Sequence, residues 1–159
     1  MANLSDLARR MFGRPEPVDP SALPVYMHPV EFSQVRAVLE TLQPKVMLEW
    51  GSGGSTKAFL EKLPFLERLV SLEHDKAWFE RVSQLVKDDR LDFHHVAPNV
   101  ASPPRGETKE ERHTYKAWEL RCETDDSCMA DYVAFPATLD TTFDYILVDG
   151  RARCFCLAE

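Results

Sequence analysis

The stretch Lys45-Val46-Met47-Leu48-Glu49-Trp50-Gly51-Ser52-Gly53-Gly54-Ser55-Thr56 decides the fold. Residues 45–50 are apolar at their centre and too few for a helix, which makes them a buried strand. A glycine-rich turn follows at once, over Gly51 to Gly54. Ser55 and Thr56 then offer the hydroxyls that cap a helix, and that helix is expected to run to about Leu63, where Pro64 blocks it. A strand passing straight through glycines into a helix opens a strand–helix–strand unit.

The same alternation continues downstream. Leu69 to Leu72 reads as a second strand, ending in Glu73-His74-Asp75. Trp78, Phe79, Val82, Leu85 and Val86 recur at helical spacing and predict a helix over 76–88. Leu91 to Val96 is a third strand, and Phe143 to Val148 a fourth, with Asp149-Gly150 at its end. Upstream, Phe32, Val35, Val38, Leu39 and Leu42 predict a helix over 30–42, closed by Pro44. This order implies an α/β, Rossmann-like parallel sheet with strand order 3-2-1-4 and helices on both faces.

Three segments stand apart. Residues 1–29 form a lead-in, with Pro15, Pro17, Pro20, Pro24 and Pro29 holding its second half extended; residues 30–159 form the domain. Met1 to Arg14, with Leu4, Leu7 and Met11 in a stripe, reads as an N-terminal helix, and its three arginines leave organelle targeting as the alternative. Residues 97–142 are a long connector with one helix expected near His113 to Arg121; connectors of this length are usually functional or mobile. A doubly wound sheet normally continues beyond its fourth strand. With the chain ending at Glu159, the distal strands are missing and the sequence reads as truncated. Strand four is then an edge, predicting self-association through it.

Bulk properties narrow the partners. A net charge of −7 argues against a broad grip on nucleic acid or an anionic membrane. No segment approaches the roughly 18 apolar residues of a membrane span. Cys122, Cys128, Cys154 and Cys156 lack the spacing of common zinc sites and read as free thiols in a reducing, cytoplasmic compartment, with no metal.

Open parallel sheets bind ligands at the carboxyl ends of their strands, where the strand order reverses. That point lies between strands one and four, at Gly51 to Ser55 and Asp149. Glycine there lets the backbone approach a ligand, and the helix start offers free N–H donors. Glu73 ends strand two, where a carboxylate can accept both hydroxyls of a ribose.

Glu49-Trp50-Gly51-Ser52-Gly53-Gly54-Ser55 resembles motif I of the class I S-adenosylmethionine-dependent methyltransferases. Leu72-Glu73-His74-Asp75 resembles the family's motif II, and Phe143 to Gly150 its strand-four motif. The resemblance covers residues 30–153 or so and implies S-adenosylmethionine as cofactor. It implies that Gly51 and Gly53, with Ser52 and Ser55 beside them, pack against the methionine part. Glu49 would help to hold the ammonium group, Glu73 would bind the ribose, and Asp149 would face cofactor and acceptor. The sequence departs from the family at Ser55, where a third glycine is usual, and after strand three, where Asn99 is the nearest candidate for the adenine.

The sulfonium is already electrophilic, so a methyltransferase supplies mainly position, plus a base where the acceptor loses a proton. Asp149 could be that base, with Arg151 or Arg153 binding an anionic acceptor, whose class the sequence leaves open between a small molecule, a sugar and a protein. The bland alternative makes Asp149 a helix cap and the arginines solvated. His74 reads as a surface histidine. His94 and His95 fall on opposite faces of a strand, and His113, Tyr115 and Trp118 fit a packed helix face better than an acceptor cradle. Two rival functions remain in view. A nicotinamide oxidoreductase would want glycine at Thr56. A non-catalytic domain would bind the cofactor weakly, or serve only for interaction.

Overall fold

The computed structural model describes residues 22–158. The expectations for residues 1–14 therefore lie outside the described residues. The chain folds as a four-stranded parallel sheet in the order β3-β2-β1-β4, as the alternation of elements predicted. The strands are β1 (Val46–Trp50), β2 (Arg68–Glu73), β3 (Leu91–His95) and β4 (Tyr145–Val148). The helices are α1 (Pro29–Leu42), α2 (Gly54–Lys62), α3 (Lys76–Leu85), α4 (Lys109–Thr124), α5 (Ala130–Ala134) and α6 (Arg153–Cys156).

Register follows from alternation along β1. Leu48 stands opposite Val70 and Ile146, and Glu49 opposite Ser71 and Leu147. Successive side chains leave a strand on opposite faces, so each face collects its own core. On one face Met47 and Leu69 meet Leu39 of α1, Phe59 and Leu63 of α2, and Val82 of α3. On the other, Leu48, Trp50, Val70 and Leu72 meet Trp118 and Cys122 of α4, Met129, and Tyr132 and Val133 of α5. Helices thus cover both faces.

Several boundaries differ from the sequence expectation, each for a local reason. Ser55 and Thr56 are not N-cap residues: the N-cap of α2 is Gly53, two residues before Ser55, and both hydroxyls turn inward to Glu49, that of Thr56 also taking the Gly53 N–H. Helix α3 stops at Leu85, because Val86 is extended while still buried against the core. Helix α4 is longer than the apolar spacing suggested. A capping box, Thr108 with Glu111, starts it four residues earlier, on a stretch whose exposed polar face carries no periodicity. The remainder of the connector adds a 3-10 turn (Asp126–Cys128), α5 and a second 3-10 turn (Phe135–Thr138). The connector thus adds one side of the core, through Trp118, Cys122, Cys128, Met129, Tyr132 and Val133, while most of its other residues stay exposed.

All four cysteines are free. Burial pushes the Cys122 thiol up to about 11 and the Cys156 thiol up to about 12, which keeps both protonated and poorly nucleophilic. No described helix is long and apolar enough to cross a membrane.

Candidate functional site

The carboxyl ends of β1, β2 and β4 open onto one cleft of about 530 Å³. Its floor is made by two glycines. Gly51 has a φ of +94°, and a Cβ placed on it would lie 2.7 Å from the Cα of Gly150. Backbone bonds fix that approach: Gly51 N donates to Leu72 O at 2.9 Å, and Asp149 N to Trp50 O at 2.9 Å. Gly54 serves a different purpose. A Cβ there would meet the backbone of Leu23 and Pro24 within 2.6 Å, so it makes room for the lead-in to cross the start of α2. Gly53 has ordinary space around it, its nearest neighbour being the Trp78 ring at 3.6 Å.

Glu49 lies behind this floor rather than in it. Its carboxylate is wholly buried and accepts hydrogen bonds from Ser55 Oγ (2.9 Å), Thr56 Oγ1 (2.6 Å) and Ser71 Oγ (2.8 Å). Thr56 Oγ1 also accepts from Gly53 N at 2.8 Å, so the carboxylate is tied through one hydroxyl to the turn. Burial pushes the Glu49 carboxyl up to about 7, against the three hydroxyls that favour its charge. Glu49 is absent from the cleft wall, and so is its hydroxyl partner Thr56, whereas Ser55 lines it.

Glu73 does line the cleft, although it is nearly buried. Oε2 accepts from Ser52 N (3.3 Å) and Ser52 Oγ (3.0 Å), and Oε1 from the amides of His74 and Asp75, both at 2.8 Å. His74 Nδ1 stands 3.0 Å from Oε1. Burial raises the Glu73 carboxyl, but His74, the Asp75 amide and Ser52 outweigh it, and the net shift is downward. Ser52 joins the turn to the end of β2.

Asp149, Gly150, Arg151 and Arg153 form the opposite wall. Asp149 Oδ1 lies 3.4 Å from Arg153 Nη2, and burial raises its carboxyl, with the Arg153 charge opposing and the Glu31 charge assisting. Arg151 pairs with Glu119 of α4, so its guanidinium is already engaged. Asn99 is not with the others. It is exposed, and its Oδ1 accepts from Asp131 N at 3.0 Å, at the start of α5.

Residues outside the glycine turn and the strand ends complete the cleft. Tyr26 and Met27 of the lead-in, Glu31 of α1, Trp78 of α3 and Arg105 of the connector all line it. Trp78 Nε1 donates to Ser52 O at 2.8 Å, and its ring centroid lies 6.2 Å from that of Tyr26. Arg105 Nε donates to Tyr115 Oη at 2.7 Å, and Arg105 Nη2 lies 3.6 Å from Asp75 Oδ2. A second cavity of about 440 Å³, bounded by His95, Pro98 and Tyr115, shares His74 and Asp75 with the first. His74 is half-buried rather than a surface residue, between the rings of Trp118 and Tyr132. Trp118 is core, Tyr115 borders the second cavity and His113 is exposed.

No family model matches the chain, and no curated protein does. Among solved structures it is similar to a methyltransferase-like protein from Silicibacter pomeroyi DSS-3. That match has 24% identity and a TM-score of 0.55, and covers 87% of this chain and 66% of that one. A structure assigned as an O-methyltransferase from Klebsiella pneumoniae matches at 21% identity and a TM-score of 0.37, over 57% of this chain and 48% of that one. The chain therefore has the fold of methyltransferase-like proteins, over about two thirds of the first neighbour's length.

Proposed function

We propose that this chain is the cofactor-binding portion of an S-adenosylmethionine-dependent methyltransferase that acts on a small-molecule or sugar acceptor. One observation carries the reading. The glycine turn, the β2 carboxylate and the β4 carboxylate converge on a single cleft, at the point where the strand order reverses.

The residues present fit the cofactor. A cleft of 530 Å³ lies within the roughly 300–1,000 Å³ typical of small-molecule sites. Gly51 and Gly53 would lie along the methionine part. Glu73 would take the ribose hydroxyls once the Ser52 hydroxyl turns away from Oε2, and the adenine would extend toward the second cavity past His74 and Asp75. When bound, the cofactor supplies an electrophilic methyl group. The protein's contribution is orientation and exclusion of water. Asp149, whose carboxyl is raised by burial, would hold the proton that an acceptor hydroxyl loses.

Arg105 is better placed than Arg151 to take an anion, because its side chain is 60% exposed and its Asp75 contact is long, at 3.6 Å, whereas the less exposed Arg151 is paired closely with Glu119. A second reading keeps the same pocket without turnover. It is favoured by the saturation of Glu73 with protein donors, which cofactor must displace. Calorimetric titration with S-adenosylmethionine, S-adenosylhomocysteine and NAD tests the cofactor assignment. Binding of the two sulfur compounds and not NAD is expected; binding of NAD alone would overturn it.

A further inference from the structure

Glu49, the residue to which the sequence resemblance gave the cofactor's ammonium group, is wholly buried. Its lone pairs are spent on Ser55, Thr56 and Ser71, and it does not reach the cleft. Another carboxylate does. Glu31, in the first turn of α1, lines the cleft, and so does Asp149. The two are near enough for the Glu31 charge to bear on Asp149.

The lead-in places Glu31. Pro24 crosses Gly54 in the space that a Cβ would need, Arg81 Nη2 donates to Ala22 O at 3.3 Å, and Tyr26 lies over Trp78. The capping box then fixes the first turn of α1. Glu31 Oε2 accepts from His28 N at 3.2 Å, which among the described residues is its only hydrogen bond. Arg153, exposed and lying along Asp149, brings a guanidinium to the same wall. A carboxylate and a guanidinium lining one cleft complement a zwitterion, with its ammonium at Glu31 and its carboxylate at Arg153.

We propose that Glu31 and Arg153 hold the α-amino-acid end of the bound ligand, the ammonium at Glu31 and the carboxylate at Arg153, which leaves Asp149 free to face the acceptor. The lead-in is then part of the binding site and not a tether before it. Glu49 becomes a positioning residue, acting on the ligand only through the hydroxyls that set the glycine turn. This inference rests on the cofactor reading above and deepens it.

The test uses two ligands that differ at one end, titrated into the full chain and its variants. S-adenosylhomocysteine carries the amino-acid end; 5′-methylthioadenosine shares its nucleoside and sulfur but lacks that end. Glu31→Gln and Arg153→Gln are expected to weaken S-adenosylhomocysteine roughly three- to tenfold each, the scale of a solvent-reachable charged contact, and to leave methylthioadenosine unchanged. Glu49→Gln is expected to change both ligands by the same factor. Unchanged S-adenosylhomocysteine affinity in Glu31→Gln, or equal losses for both ligands, would overturn the proposal. So would a selective loss in Glu49→Gln, which would return the ammonium to that residue. Failure of the unsubstituted chain to bind either ligand would overturn the cofactor reading itself, and the proposal with it.

Discussion

Gly51 and Gly150 meet so closely that neither β1 nor β4 could end where it does with a side chain between them: a Cβ on Gly51 would stand 2.7 Å from Gly150 Cα and N. The contact brings the turn after β1 against the turn after β4, and so sets Ser52 and Asp149 on facing walls of one cleft. Gly150 is constrained from its other side too, since a Cβ there would lie 2.4 Å from Tyr132 Oη. The floor of the site is backbone because nothing else fits.

Gly51→Ala combines two penalties, a left-handed φ of +94° and a clash with backbone that cannot yield. We expect a loss of at least about 2 kcal/mol in folding stability, the scale of a strained conformation plus overpacking. Urea unfolding followed by circular dichroism measures it. A loss below about 0.5 kcal/mol, within the range of an ordinary surface change, would mean that the two turns are not held together.

Glu49 makes stability fall with pH. Its folded carboxyl is raised to about 7 from an ordinary 4.5, so the folded chain binds this proton more tightly than the unfolded chain does. The contribution is fully present below pH 4.5 and is lost as pH rises through about 7. Glu49→Gln, whose amide oxygen still accepts from hydroxyls, should flatten the stability profile across that window. Thermal melts of both proteins at intervals from pH 4.5 to 8 decide it, and parallel profiles would refute the assignment.

Glu73 behaves in the opposite sense. Its carboxyl is lowered, so its stabilising contribution is present above the unfolded value and disappears as pH falls through the folded one. Five donor groups surround it, so it is tied into the protein as well as lining the cleft. Glu73→Ala is expected to weaken S-adenosylhomocysteine by roughly 1.5–3 kcal/mol, the range for hydrogen bonds to a charged group, and to cost about 1–3 kcal/mol of stability by leaving buried donors unpaired. Calorimetry beside thermal melting separates the two; unchanged affinity with lowered stability would make Glu73 purely structural.

The parts of this protein legible in its sequence are those written in short-range pattern. The apolar run before Gly51, the stripe through Trp78 and Val82, and the acid ending β2 each needed only their neighbours, and they gave the sheet order and most of the cleft. Glu31, Tyr26 and Arg105 could not be found that way. They reach the cleft from an irregular lead-in, a helix start and a connector loop, where position depends on tertiary contacts such as Pro24 on Gly54. Glu49 shows the converse failure: its place beside the glycines is local and legible, but the three hydroxyls that turn it inward come from two different elements, Ser55 and Thr56 of α2 and Ser71 of β2.

The edge of the sheet gives the remaining prediction. Among the described residues β4 is hydrogen-bonded to β1 alone, and Ile146 in its middle is 50% exposed although its neighbours on the same face of β1 and β2, Leu48 and Val70, are buried. The connector that covers this face ends its cover short of Ile146, because α5 and the start of α6 pack over Trp50 and Val148 nearer the cleft. An edge strand with an open ladder and an apolar side chain is a template for a second strand. We expect this 159-residue chain to associate in a concentration-dependent way and Ile146→Lys to reduce that association. The charge costs little here, since the side chain already reaches solvent, so stability should change by less than about 1 kcal/mol. Sedimentation velocity over a hundredfold range of concentration tests both proteins. A chain that stays monomeric throughout would show that the edge is protected without a partner, and that Asp144 and Asp149 at the two ends of β4 suffice to keep a second strand away.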